Sequence, residues 1–170
     1  MRERIYHVDA FSDRPFAGNP AGVCLLDGPK PDTWLQGVAR EMNLSETAFL
    51  LEEGDGYSLR WFTPAVEVEL CGHATLAAAH VLWETGRLPG DGTALFRTLS
   101  GALSARRSGG WIIMDFPAEA DTPADAPETL VRALGKNPRY AGRNRFDYIL
   151  EFGSEDDIRE LRPDFKLLGA

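Results

Sequence analysis

A chain of 170 residues with 44% hydrophobic content and a formal net charge of −8 has enough apolar material for a sizeable core and lacks the basic face that nucleic acid or an anionic membrane surface requires. Global disorder is excluded, and no apolar run reaches the roughly 18 residues of a bilayer span. A small anionic molecule fits as a partner only if the chain supplies a local positive device against its own field.

The opening MRERIYHVDAF is charged and then strand-like, which does not read as a secretory leader. The strand covers 4–11, and the Gly-, Pro-, Asn- and Asp-rich stretch 12–22 is a loop. GVCLLDG (22–28) reads as a buried strand with Cys24 as a small core residue. A helix over 31–43 follows, with Asp32 at its N-cap and Leu35, Val38, Ala39 and Met42 at helical spacing. Segments 44–52 and 57–63 form a strand pair joined through EGDG, and VEVEL (66–70) alternates as a half-buried strand with Glu67 and Glu69 on its solvated face. The helix 73–84 comes next, then up to three strands within 92–117. The organisation is an N-terminal lobe over 1–117, a linker over 118–127 rich in Ala, Asp, Pro and Thr, and a remainder over 128–170 with a helix (127–134), a strand (146–152) and a helix (155–161). The two cysteines lie far apart and form neither a disulfide framework nor a zinc pattern. These features point to a soluble cytoplasmic protein.

The helix that opens at Gly72-His73 carries no charged residue before Glu84, so it must be enclosed by other elements. Gly86 supplies its stop. Its first amides lack internal partners and carry the positive end of the dipole, so a small carboxylate could bind there, and Gly72 has no side chain to block the approach. Alternatively, Thr75 or a backbone carbonyl satisfies the amides and Gly72 only makes the turn. His73 has a structural reading beside a functional one. His73 and His80 stand about 10 Å apart along the axis, too far to share a metal ion, and no metal is expected. Cys71 is either a thiolate activated by the helix start or an inert buried thiol.

Glu46 is a second oddity. In a strand it shares a face with Leu44, Ala48 and Leu50. Desolvation there favours the proton-carrying form, which suits proton transfer near neutrality. In the alternative, Ser45-Glu46-Thr47 is a turn with the carboxylate exposed.

VDAFSDRPFAGNPAGV (8–23), LSETAF (44–49) and LRWFTPAVEVELCGHATLAAAHVL (59–82) together resemble the signatures of the phenazine-biosynthesis PhzF-like isomerases, a branch of the diaminopimelate-epimerase-like fold. The resemblance implies an α+β fold of two lobes, each a mixed β-barrel around a central apolar helix, with the active site between them. It implies Glu46 as the acid/base that moves a proton between carbons, Gly72 and His73 as substrate-binding residues at the helix start, and Asn19 as a further polar cleft position. It implies a homodimer without cofactor. The family's second lobe carries an EDPVTGSA-like motif, and nothing like it follows Ala118. The second lobe is therefore expected to be incomplete and the chain by itself weakly active or inactive. Two other readings stand beside this one: a non-catalytic single lobe that associates through its cleft face, and an epimerase that uses Cys71.

Overall fold

The computed structural model describes residues 3–169. They divide into two compact units, one through Phe116 and one from Pro117.

The first unit contains β1 (Arg4–Ala10), β2 (Asn19–Leu26), α1 (Asp32–Met42), β3 (Glu46–Glu53), β4 (Gly56–Phe62), β5 (Glu67–Val68), α2 (Gly72–Glu84), β6 (Ala94–Thr98), β7 (Gly101–Ser108) and β8 (Trp111–Asp115). The strands form one mixed sheet in the order β1-β2-β3-β4-β6-β7-β8, with β5 added beside β4. The β2–β3 and β4–β6 pairs are parallel and the remaining pairs antiparallel. The sheet curls around α2 as a half-barrel, and β1 and β8 remain its two edges.

Period-two alternation directs one face of every long strand at α2. Ala21, Val23 and Leu25 of β2, Ala48 and Leu50 of β3, Leu59 and Trp61 of β4, Phe96 of β6 and Leu103 of β7 share one core with the helix. Ala77, Ala78 and Ala79 are fully buried, so their methyl groups set how closely the strands approach. The opposite faces of β2, β3 and β4 are covered by α1. Cys24, Leu26, Phe49 and Phe62 pack there against Leu35 and Ala39. Coverage on both faces explains why β2 and β3 read as nearly continuous apolar runs. The helix ends as its sequence anticipates: the Thr85 hydroxyl donates to the Val81 carbonyl at 2.6 Å, and Gly86 adopts a left-handed φ of 69° that reverses the chain.

Several local expectations change. Asp32 is the first helical residue of α1 and Pro31 its N-cap. The Asp32 carboxylate is engaged instead by Arg60, at 2.8 Å. The strand expected over 66–70 shrinks to Glu67–Val68, because the Thr63 hydroxyl accepts from the amides of Ala65 and Val66 and holds them in a turn. Glu67 is not a merely solvated side chain, since Arg60 of β4 donates to both its carboxylate oxygens at 2.6 and 2.7 Å. β2 begins at Asn19, inside the stretch read as a loop, because Asn19 pairs with Ala10.

The second unit holds β9 (Thr122–Pro123), α3 (Glu128–Leu134), β10 (Tyr140–Arg143), β11 (Tyr148–Glu151), α4 (Glu155–Arg159) and α5 (Phe165–Leu168). Its strands pair antiparallel in the order β11-β10-β9. Part of the stretch read as a linker is therefore a sheet edge, with Thr122 opposite Arg143. Among the described residues of this unit, Ala133 is the one buried hydrophobic side chain, and Ile149, Phe165 and Leu168 are exposed.

Because Ala78 sits at the centre of the enclosed helix, Ala78→Leu should destabilise the first unit by about 1–3 kcal/mol through overpacking. Urea unfolding followed by tryptophan fluorescence measures this, and an unchanged midpoint would contradict the enclosure.

Candidate active site at the start of the central helix

The N-terminal end of α2 collects the reactive side chains. Cys71 is its N-cap, in extended conformation, and no side chain caps the helix. The Thr75 hydroxyl donates to the Cys71 carbonyl at 2.6 Å, which commits it to an acceptor and leaves the first amides to other partners. Gly72 is exposed, and a methyl group added to it would meet no protein atom within 4 Å. The space that glycine keeps clear at this helix start lies outside the chain.

Glu46 reaches the same place from the sheet. It opens β3, opposite Ala21 of β2, on the face that continues through Ala48 and Leu50 into the α2 core. Its Oε2 lies 3.5 Å from Nε2 of His73, and the two side chains are 20% and 10% exposed respectively. The strand reading of Glu46 therefore holds over the turn reading. Nε2 also faces the Ser45 hydroxyl at 3.3 Å, while Nδ1 on the other side of the ring lies 3.4 Å from Sγ of Cys71.

Burial pushes the Cys71 thiol up to about 12; the Glu46 carboxylate pushes in the same direction, and the amides of Ala74 and His73 oppose it. The thiol is therefore protonated at neutral pH, with its sulfur in contact with Nδ1 of His73. The result is a carboxylate, an imidazole and a helix start without a side-chain cap within one small volume. Such a set can exchange a proton with a bound molecule and hold that molecule's negative charge.

Asn19 is placed differently. It is the exposed first residue of β2, on the face of Ala21, one step beyond the Ala21–Glu46 pair. Among the described residues, no hydrogen bond joins it to Glu46, Cys71 or His73. Ser45 was not singled out by sequence reasoning. A serine beside a candidate acid reads as turn chemistry, and only the packing of β3 against α2 turns its hydroxyl toward His73.

A cavity of about 830 Å³ in the first unit lies elsewhere. It fills the opening between the sheet edges, with Val8, Asp9 and Phe11 on one side, Trp111 and Met114 on the other, and Ala77 and His80 at its base. Glu46, Cys71 and His73 do not line it. The cluster at the helix start is the stronger chemical candidate, because its acid, donor and thiol are within contact distance of one another.

A family model described as phenazine biosynthesis-like protein matches residues 8–165. An uncharacterized isomerase of Halalkalibacterium halodurans is 53% identical over 169 residues, which are 99% of this chain and 64% of that protein. The crystal structure of a PhzF-family phenazine biosynthesis protein from Enterococcus faecalis matches with a TM-score of 0.85 at 38% identity, over 98% of this chain and 63% of that one. The structure of a predicted epimerase from Pseudomonas aeruginosa matches with a TM-score of 0.70 at 20% identity, over 95% of this chain and 63% of that one, a likeness of fold. The chain thus spans slightly less than two thirds of the length of these relatives.

A thiol raised from 9.0 to about 12 has a thiolate fraction at pH 8 roughly a thousandfold below that of a free cysteine. Iodoacetamide at pH 8 should therefore leave Cys71 unmodified in the native protein while labelling it readily in urea, as read by peptide mass. Rapid native labelling would show an activated thiolate and contradict the neutral, buried state of Cys71.

Proposed function

The chain belongs to the phenazine biosynthesis-like family, and on that footing we propose that it contributes one wall of an isomerase site, in which Glu46 moves a proton between carbons of a small carboxylate-bearing substrate. The observation that carries this reading is the 3.5 Å approach of the Glu46 carboxylate to His73 at the uncapped start of α2. In this reading the substrate carboxylate rests on the amides at Gly72 and His73, where the helix dipole supplies positive charge that the acidic chain otherwise lacks. His73 faces the Glu46 carboxylate through Nε2 and steadies it. Asn19, at the rim on the same sheet face, orients the far end of the substrate.

The reaction leaves the electron count of the substrate unchanged. It needs an acid/base group and a held anion rather than a redox partner, so the reading requires no cofactor. The relatives' additional length supports a site completed by groups that lie outside this chain. Both cysteines are free thiols, in keeping with a reducing compartment such as the cytoplasm. A homodimer belongs to the same proposal.

Cys71 as the catalytic base fits poorly, because burial holds its thiol protonated. The reading as an association module has one observation in its favour: Phe11 and Trp111, on opposite rims of the opening between β1 and β8, are 71% and 76% exposed. A second copy of the chain could cover them. Light scattering of wild type and Trp111→Ser tests whether copies associate through this face, and an unchanged mass in Trp111→Ser would count against it.

Proton exchange is a more sensitive readout than net turnover. In deuterated water, a dihydro-hydroxyanthranilate substrate should gain deuterium in the presence of the protein, and Glu46→Gln should slow the gain by about 10²–10⁴-fold. Gly72→Ala should fold normally, since its methyl group meets open space, yet weaken substrate binding. Equal exchange by wild type and Glu46→Gln would sink the assignment of the base.

A further inference from the structure

We propose that Cys71 is a positioning residue: its thiol donates to Nδ1 of His73 and so fixes the ring with its proton on Nε2, toward Glu46. The contacts that carry this lie on opposite sides of one imidazole. Sγ of Cys71 is 3.4 Å from Nδ1, while the Glu46 carboxylate and the Ser45 hydroxyl lie 3.5 and 3.3 Å from Nε2. A neutral imidazole has one N–H and one bare nitrogen, so its two sides must differ. An ionised carboxylate only accepts, and it suits the nitrogen that carries the proton. A thiol can give its proton to the bare one. The reverse arrangement aims the Nε2 lone pair at a carboxylate.

The place of Cys71 in the fold suits this role. It is the N-cap of α2 and 8% exposed, and burial keeps its thiol protonated, so it has a proton to give. The amides of Ala74 and His73 face the sulfur as donors and do not compete for that proton. Glu46 is the competing acceptor, since it also acts on the thiol. A thiol turned to Glu46 would leave Nδ1 without a donor, an arrangement that experiment can tell apart. His73 lies in the first turn of α2, where a neutral ring suits the positive end of the helix dipole.

The consequence for proton transfer rests on the reading of Glu46 as the base. There, a ring pinned at Nδ1 keeps its Nε2–H on the carboxylate and holds that carboxylate in place while it exchanges a proton. Cys71 then acts through His73 rather than on the substrate. The tautomer itself depends on neither substrate nor turnover.

Nitrogen-15 NMR of histidine-labelled protein at pH 8 tests the assignment, with His73→Asn identifying the ring signals. Wild type should show the Nε2–H tautomer, with Nδ1 shifted as a hydrogen-bonded acceptor. Cys71→Ser, which keeps a donor, should retain that Nδ1 signal. Cys71→Ala and Cys71→Val, which keep small or similar volume without a donor, should move it to the position of an unbonded ring nitrogen. A side chain that merely fills space would leave serine and alanine alike, and Cys71→Val decides the matter if Cys71→Ala does not fold. In the deuterium-exchange assay, Cys71→Ala and Cys71→Val should lower kcat by about 2–10-fold, the worth of one hydrogen bond, with KM unchanged and Cys71→Ser close to wild type. An Nδ1–H tautomer or an imidazolium in wild type, or the same Nδ1 signal in the serine and alanine variants, would overturn the proposal. Absence of exchange in wild type alongside the expected NMR signals would overturn the proton-transfer reading and leave the positioning of His73 standing.

Discussion

The structure of the first unit depends on enclosing a helix that has no polar side. A 13-residue helix with eight buried residues has no face to offer to water, so the sheet must wrap around it rather than lie flat against it. Wrapping leaves polar backbone exposed only at the two helix ends. The C-terminal end is closed locally, by the Thr85 hydroxyl and the reversal at Gly86. The N-terminal end has no such closure. The helix dipole that ends there makes it the place where an acidic protein can attract negative charge.

The elements that enclose the helix also position the reactive groups. α1 covers the back of β2, β3 and β4, and Phe49 and Phe62 lock that face. With one face of β3 fixed outward against α1, the strand period gives the other face no freedom. Ala48 and Leu50 must enter the core, and Glu46 must follow them at the strand's end. Cys71 is drawn below the surface by the same wrapping. Its thiol stays neutral because desolvation exceeds the help of the nearby amides, and a neutral thiol can donate to His73. The imidazole is thereby oriented from both sides, by sulfur on Nδ1 and by Ser45 and Glu46 on Nε2.

The second unit follows a different balance. Ala133 is its one buried hydrophobic side chain among the described residues, and its order rests on short strands and polar links such as Tyr140 to Asp121 at 2.6 Å. A unit of this kind gains little from apolar burial. The relatives are about half again as long as this chain.

Much of this was written in the sequence. Most strands of the first unit, the enclosed helix and its glycine stop were legible because period-two and all-apolar patterns report burial directly, and three separate stretches carried the family resemblance. The oddness of Glu46 was legible too, as a carboxylate on an apolar face. Other features were not. Short β10 lacks a periodic run, and Asp32 looks like a cap until Arg60 is seen to claim it. Ser45 as a partner of His73, the neutral state of Cys71, and the meeting of carboxylate, imidazole and thiol were decided by tertiary structure alone. The physical reason is that sequence patterns specify which face a residue occupies. Contacts between residues distant in the chain, and the desolvation that sets a thiol's charge, exist only once the strands have closed around the helix.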